Sequence, residues 1–288
     1  MNILPLFAEY PAALPLVALV LGLVVGSFLN VVIHRLPIML ERSWRAQCAE
    51  LAGGSAEPQA PYNLIVPRSQ CPACGRRITA LENIPLLSFL FLRGRCAGCG
   101  SAISWRYPAV EAATGILSAA VAWHFGPTLA AAGALLLTWA LIALTFIDYE
   151  HQLLPDNVTL PLLWLGLVFN LGEVYAPLPA AVIGAVAGYG SLWLVYQLYR
   201  LLTGREGMGY GDFKLYAALG AWLGWQQLPL VILLASFVGA VVGLLGILLL
   251  RRDRSVPIPF GPFLCAAGWI ALLWGDALTR SYLQLARF

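Results

Sequence analysis

Ionisable side chains are scarce in this chain. Of 288 residues, 17 are Lys or Arg, 14 are Asp or Glu and three are His, so charged residues make up 11%. Hydrophobic residues make up 60%, and the mean hydropathy is +0.79. A soluble domain carries about 25% charged residues, so this scarcity excludes an ordinary soluble enzyme and implies a polytopic membrane protein. The length would allow two soluble domains, but apolar runs consume most of it. A net charge of +3 is read as membrane topology rather than as a nucleic-acid footprint, and no nucleic-acid partner is expected. Basic residues are also missing at the start, where the first is Arg35, after the first apolar run. Without a basic n-region, a cleaved signal peptide is disfavoured and a retained first helix with its N-terminus outside is expected. Lysine is nearly absent, Lys214 being the only one.

What is present is a series of apolar spans at 13–34, 107–125, 128–147, 158–173, 178–199, 213–224, 228–250 and 258–275. The expected fold is therefore an all-α polytopic membrane protein of about eight transmembrane helices in a lipid bilayer. A crossing needs roughly 20 residues, so 158–173 and 213–224 are expected to be tilted, broken or extended. Residues 35–106 are the one sizeable polar insertion. The division expected is a first transmembrane helix at 1–34, a zinc-binding cytoplasmic domain at 35–106 and a transmembrane domain at 107–288. If 13–34 runs from outside to inside, then 35–106, 148–157, 200–214 and 251–257 are cytoplasmic. They hold 9, 0, 3 and 3 Lys or Arg residues, leaving only Arg280 and Arg287 elsewhere. Such an excess on one side follows the positive-inside rule. Residues 46–62 read as a flexible loop. Gly22, Gly26 and Ser27, and again Gly184, Gly188 and Ser191, have the small-residue spacing of close helix contacts.

The insertion contains Cys71-Pro72-Ala73-Cys74 and Cys96-Ala97-Gly98-Cys99, each followed by a glycine. Two CxxC knuckles are the donor set of a four-thiolate zinc ribbon. The alternatives are free thiols or two disulfides, which a reducing cytoplasm disfavours. Four thiolates close the coordination shell, so one Zn2+ held by Cys71, Cys74, Cys96 and Cys99 would be structural. Cys48 and Cys265 read as ordinary small residues.

Two carboxylates stand out at span ends. Asp148 directly follows an uninterrupted apolar run. Asp212 lies in Gly207-Met208-Gly209-Tyr210-Gly211-Asp212-Phe213-Lys214, where alternating glycines bring backbone close to it. An ionisable residue at a membrane segment is by default a functional hypothesis. Paired carboxylates sharing a proton can hydrolyse an amide, one drawing a proton from water and the other polarising the carbonyl. Glu150 sits in a polar turn. Asp156, after Pro155, reads as the N-cap of the next helix. Asp212 has a bland reading too, as a helix cap, and the glycine pattern superficially suggests a nucleotide loop, but no strand precedes it. Lys214 reads either as a surface anchor or as a charge that tunes its neighbour.

Gly209-Tyr210-Gly211-Asp212 is a GxGD motif. With Asp148 in an Asp-x6-Pro-Asp setting, it resembles the type IV prepilin peptidases, a family of GxGD membrane aspartyl proteases. The resemblance extends to Gly26-Ser27-Phe28-Leu29-Asn30-Val31-Val32-Ile33-His34-Arg35-Leu36-Pro37, to the CxxC pairs, to Asn83-Ile84-Pro85-Leu86-Leu87-Ser88, and to Arg106-Tyr107-Pro108 followed by Glu111. It implies a bacterial inner-membrane enzyme that cleaves the basic leader of type IV prepilins or type II secretion pseudopilins at the cytoplasmic face. It implies Asp148 and Asp212 as the catalytic pair. It also implies N-methylation of the new N-terminal residue with S-adenosylmethionine, in association with the N-terminal cytoplasmic region. Gly94 is a candidate for the cofactor site, though a tight turn is favoured for it. Glu82 and Glu111 are candidates to contact the cofactor or the amine. The alternatives are a peptidase without methylation and a non-catalytic transporter or scaffold. With both aspartates at one face and few charges deep in the spans, a through-path is disfavoured.

Overall fold

The computed structural model describes residues 12–53, 60–250 and 258–285. The expected orientation of the first ten residues, the basic loop 251–257, the middle of the 46–62 loop and Arg287 lie outside them. Among the described residues there are nine α-helices and no strand beyond two isolated bridges. They are α1 (Ala13–Leu51), α2 (Leu87–Phe91), α3 (Arg106–Phe125), α4 (Leu129–His151), α5 (Asp156–Asn170), α6 (Leu178–Thr203), α7 (Tyr210–Leu223), α8 (Leu228–Leu250) and α9 (Gly261–Leu285). All eight expected spans are helical. Five helices are long and apolar enough to cross a membrane: α1, α4, α6, α8 and α9. Eight crossings are not established: α3, α5 and α7 fall outside the five, and for α5 and α7 length shows why. At 15 and 14 residues they rise about 22 Å, against a hydrocarbon core of about 30 Å.

The first helix runs on to Leu51, past the expected boundary at 34 and into the stretch expected to be loop. Pro37 lies inside it. The continuation is built from Leu40, Glu41, Arg42, Arg45, Ala46, Gln47, Ala49 and Glu50, all good helix formers, with Arg45 paired to Glu41 one turn earlier.

The chain divides into two compact units, Met1–Pro127 and Thr128–Phe288. In the first, α1 and α3 pack along a seam of small residues. A Cβ on Gly22 would lie 2.6 Å from the Thr114 carbonyl oxygen, and one on Gly26 would lie 2.8 Å from Glu111 Cα. The spacing read from the sequence thus serves close backbone approach.

The second unit is organised around α7, whose residues from Asp212 to Leu223 are buried except Lys214. Gly184 and Gly220 place the backbones of α6 and α7 in direct contact, and a Cβ on either would collide with the other's carbonyl. Trp222 lies over Gly166 and donates through Nε1 to the Leu162 carbonyl at 2.8 Å. Asn170 donates to the carbonyls of Ala221 and Trp222 and accepts from the backbone of Tyr175 and Ala176. These bonds occupy carbonyls that the short helix leaves free at its C-terminus. They also account for a helix too short to span that is enclosed by protein.

Candidate functional site

Asp148 stands near the C-terminal end of α4, which stops when Gln152 turns left-handed at φ 52°. It is buried, and its Oδ2 accepts the backbone N–H of Gly261 at 3.0 Å. Gly261 is the first residue of α9, so the carboxylate faces a helix N-terminus, where free N–H groups and the helix dipole favour negative charge. A Cβ on Gly261 would sit 2.5 Å from Asp148 Oδ2, so only glycine admits this approach.

Asp212 is the third residue of α7, also buried. Its carboxylate interacts with the Gly209 backbone N–H, reaching back to the helix cap. The bland reading as a capping residue is therefore present in the geometry, but it does not account for what lies opposite. Asp148 is close enough for its charge to act on Asp212. Leu154 fits between the two elements: a Cβ on Gly211 would lie 2.7 Å from Leu154 Cβ, and one on Gly261 would lie 3.2 Å from its Cδ1. The glycine before Asp212 therefore serves a tight fit against the loop that follows Asp148. Cys265 is buried and feels both carboxylates.

The remaining acids separate from this pair. Glu150 is exposed. Asp156 does not cap α5: the N-cap is Pro155, with no side-chain cap, and Asp156 is the first helical residue. Its two oxygens each accept from Lys214 Nζ at 2.7 Å. A full ammonium outcompetes neutral N–H groups for the carboxylate. The ion pair joins the start of α5 to the start of α7, two residues beyond Asp212. Sequence reasoning missed Gly261 and this pairing. For Gly261 a local signal existed, the Gly261-Pro262 step opening an apolar run.

In the first unit the four cysteine sulfurs lie within 4.8 Å of one another. The two knuckles repeat one hydrogen-bond pattern. Cys71 N–H donates to Arg76 O and Gly75 N–H to Cys71 O; Cys96 N–H donates to Ser101 O and Gly100 N–H to Cys96 O. Gly75 and Gly100 both take φ +71°, and a bridge closes each knuckle, Gln70 with Arg77 and Arg95 with Ala102. The Cys71 and Cys99 sulfurs are 3.8 Å apart. A tetrahedron with Zn–S bonds of about 2.3 Å has an edge of about 3.8 Å, so the donor set fits zinc. Backbone N–H groups of Cys74 and then Ala73 pull the Cys71 thiol down to about 6. The Ser101 hydroxyl, then its backbone, lowers that of Cys99, whereas Cys74, although the Arg76 backbone lowers it, is pushed up to about 11 by burial and by the three neighbouring sulfurs. Thiolate is the form that binds metal.

The three weaker candidates differ. Gly94 turns at φ +69°, gives its N–H to Phe89 O and packs against the Phe89 ring. Glu82 accepts from the backbone and hydroxyl of Thr79 and pairs with Arg76 at 2.8 Å. Those bonds, the Thr79 backbone first, hold its carboxyl below the usual range. Glu111 is buried on α3 and accepts the Leu86 N–H at 2.8 Å and a bond from Ser27.

Residues 20–125 match the model of the bacterial peptidase A24 N-terminal domain, and residues 135–244 that of the type IV leader peptidase family. The chain is similar to the prepilin leader peptidase/N-methyltransferase of Pseudomonas aeruginosa, 57% identical over 289 residues, 100% of each chain. That of Aeromonas hydrophila is 62% identical over 264 residues, 91% of each chain. That of Legionella pneumophila is 48% identical over 279 residues, 96% of this chain and 97% of the relative. No solved structure matches.

Proposed function

The chain belongs to the type IV leader peptidase family, and from that premise we propose that it cleaves the basic leader of type IV prepilins or type II secretion pseudopilins and then N-methylates the new N-terminus. The observation that carries the cleavage reading is the burial of Asp148 and Asp212 at helix ends, with Gly211, next to Asp212, and Gly261, on the Asp148 carboxylate, both packed on Leu154. One carboxylate, ionised, takes a proton from water, whose oxygen attacks the scissile carbonyl carbon. The other, protonated, donates to the carbonyl oxygen. When the C–N bond breaks, the leaving nitrogen takes up a proton, giving a C-terminal carboxyl on the leader and a free amine on the pilin. The Gly261 N–H holds the Asp148 carboxylate in a fixed orientation at the start of α9. The Asp156–Lys214 pair ties the start of α5, just after the loop that follows Asp148, to the start of α7, which bears Asp212. A prepilin stem lying in the bilayer would bring its scissile bond to helix ends, and binding of that stem would orient it.

Asp148 sits at the end of the spanning helix α4 and Asp212 at the start of the short helix α7, both at helix ends rather than along a span, which disfavours a transport path. Arg200 and Arg205 precede Asp212 in the chain, and Arg251, Arg252 and Arg254 precede Gly261, which supports a cytoplasmic active site, a periplasmic N-terminus and residence in the inner membrane. Cys71, Cys74, Cys96 and Cys99 would hold one structural Zn2+ in the polar insertion. S-adenosylmethionine, when bound, supplies an electrophilic methyl group on a sulfonium. The part of the protein is to hold and align the amine, a role assigned to the first unit.

The test is cleavage of a purified prepilin by Asp148→Asn and Asp212→Asn. Each is expected to lose at least about 1000-fold in rate, as when one member of an acid–base unit is removed, with the folded protein retained. Normal cleavage by either variant would remove that residue from the mechanism.

A further inference from the structure

Three segments of the first unit converge on one buried carboxylate, and the cleavage chemistry uses none of them. Glu111 of α3 receives the backbone N–H of Leu86, at 2.8 Å, and the Ser27 side chain of α1. Gly26, beside Ser27, lets α1 approach the Glu111 backbone directly. One turn further along α1, Asn30 is 3% exposed. Its Nδ2 donates to the carbonyls of Gly26 and Tyr107, at 3.3 and 3.1 Å. Two carbonyl partners fix the orientation of the amide, since reversal would set oxygen against oxygen. The Asn30 Oδ1 is then a buried acceptor with no donor. Tyr107 lies one turn from Glu111 on α3, so the orphaned oxygen and the carboxylate occupy adjacent turns of a single seam.

Both groups lack the same thing. Among the described residues no cation pairs with Glu111; its partners are a backbone amide and a hydroxyl. A buried carboxylate without a cation and a buried amide oxygen without a donor are each costly. On one helix seam, a turn apart, they offer acceptors to a group that brings positive charge and several N–H donors. The Leu86 N–H that reaches Glu111 belongs to a tight turn with φ 58° and ψ −45°, just before α2.

We propose that Glu111 and Asn30 form the acceptor face of a binding site for a primary ammonium group. The inference rests on the methyl-transfer reading above, in which two such groups occur: the N-terminus of the cleaved pilin and the amino-acid end of the methyl donor. Glu111 supplies the charge. Asn30 supplies the second acceptor and fixes direction.

The test uses the purified full-length protein and three probes: a leaderless pilin peptide with a free N-terminus, the same peptide N-acetylated, and S-adenosylhomocysteine. Wild type is expected to bind the free amine at least about ten-fold more tightly than the acetylated peptide, the scale of a charge-assisted hydrogen bond. Glu111→Gln keeps the shape and an acceptor for Leu86, and is expected to abolish that discrimination. If S-adenosylhomocysteine binding is what weakens instead, the ammonium is that of the cofactor. Leader cleavage, in which Glu111 has no part, serves as the folding control. Should Glu111→Gln unfold, hydrogen exchange of residues 83–88 in wild type decides: protection by the free-amine peptide or by S-adenosylhomocysteine, and not by the acetylated peptide, is expected. Undiminished binding of both ligands by a folded Glu111→Gln protein overturns the inference alone, as does unchanged exchange at 83–88 in a wild type that binds. Binding of neither ligand by wild type overturns the methyl-transfer reading and this inference together.

Discussion

In the second unit, Asp148 and Asp212 are held by a helix cluster whose central member, α7, is buried along nearly its whole length. In the first, residues 60–105 bury only Cys71. Their order comes instead from four convergent sulfurs, from Arg35 donating to the Asn63 and Pro67 carbonyls at 2.8 and 2.6 Å, and from Glu82 tying Thr79 to Arg76. Apolar burial fixes one site; ligand chemistry and polar bonds fix the other. The two should therefore fail under different insults.

Metal removal gives the largest expected effect. The polar insertion buries too little apolar surface to stand without the zinc proposed for it, and zinc binding of about 10–16 kcal/mol in small zinc domains is folding energy for them. Chelation, or Cys71→Ser with Cys74→Ser, is expected to release one zinc ion and open residues 60–105 to proteolysis. Methylation should be lost while leader cleavage survives. Unchanged metal content by elemental analysis of the double variant would refute the four-cysteine site.

Gly261→Ala attacks the other unit. Its Cβ would meet Asp148 Oδ2 at 2.5 Å, so the carboxylate must turn away from α9. A displaced acid–base group costs roughly 100-fold in kcat, and KM should change little because the stem still binds. A kcat within two-fold of wild type would show that the Gly261 N–H does not position Asp148.

Lys214→Met breaks the pair with Asp156. The side chains are 26% and 52% exposed, so solvent screening limits the pair to about 1 kcal/mol, or about five-fold in cleavage. Asp156→Asn should lose a similar amount, and the double variant no more than either single one. Additive losses would mean that the two residues act separately.

Glu82→Gln gives the smallest effect. The folded carboxyl titrates below its ordinary value of 4.5, so its stabilising contribution is full above that value and disappears as pH falls through the lowered one. The thermal stability gap between wild type and variant should be small at neutral pH and close on acidification. A gap that widens in acid would contradict the assignment.

The sequence carried a large part of this division. Apolar runs located every long helix, because each must be apolar to lie in lipid or in a lipid-excluded core. The CxxC spacing and the GxGD turn singled out the cysteines and the aspartates because short-range chemistry leaves short-range patterns. What escaped was contact between distant parts of the chain. Gly261 meets an aspartate 113 residues away. Lys214 finds Asp156 across 58 residues, overriding the local rule that made Asp156 a cap. Asn30 shows its orphaned oxygen only once Tyr107 is placed beside it. The continuation of α1 past residue 34 was hidden because composition turns from apolar to polar there and Pro37, a residue that ends or kinks most helices, stands beside the change, although the residues beyond it are good helix formers.

The most direct test of the division is the mass of two substrates after incubation with wild type and Asp212→Asn, with and without S-adenosylmethionine. One substrate is an intact prepilin and the other a pilin already lacking its leader. Wild type should remove the leader with or without cofactor and add one methyl only with it. Asp212→Asn should leave the prepilin intact yet methylate the leaderless pilin as wild type does. If a folded Asp212→Asn protein methylates neither substrate while wild type methylates the leaderless pilin, the two chemistries share a centre and the separation into two sites is wrong.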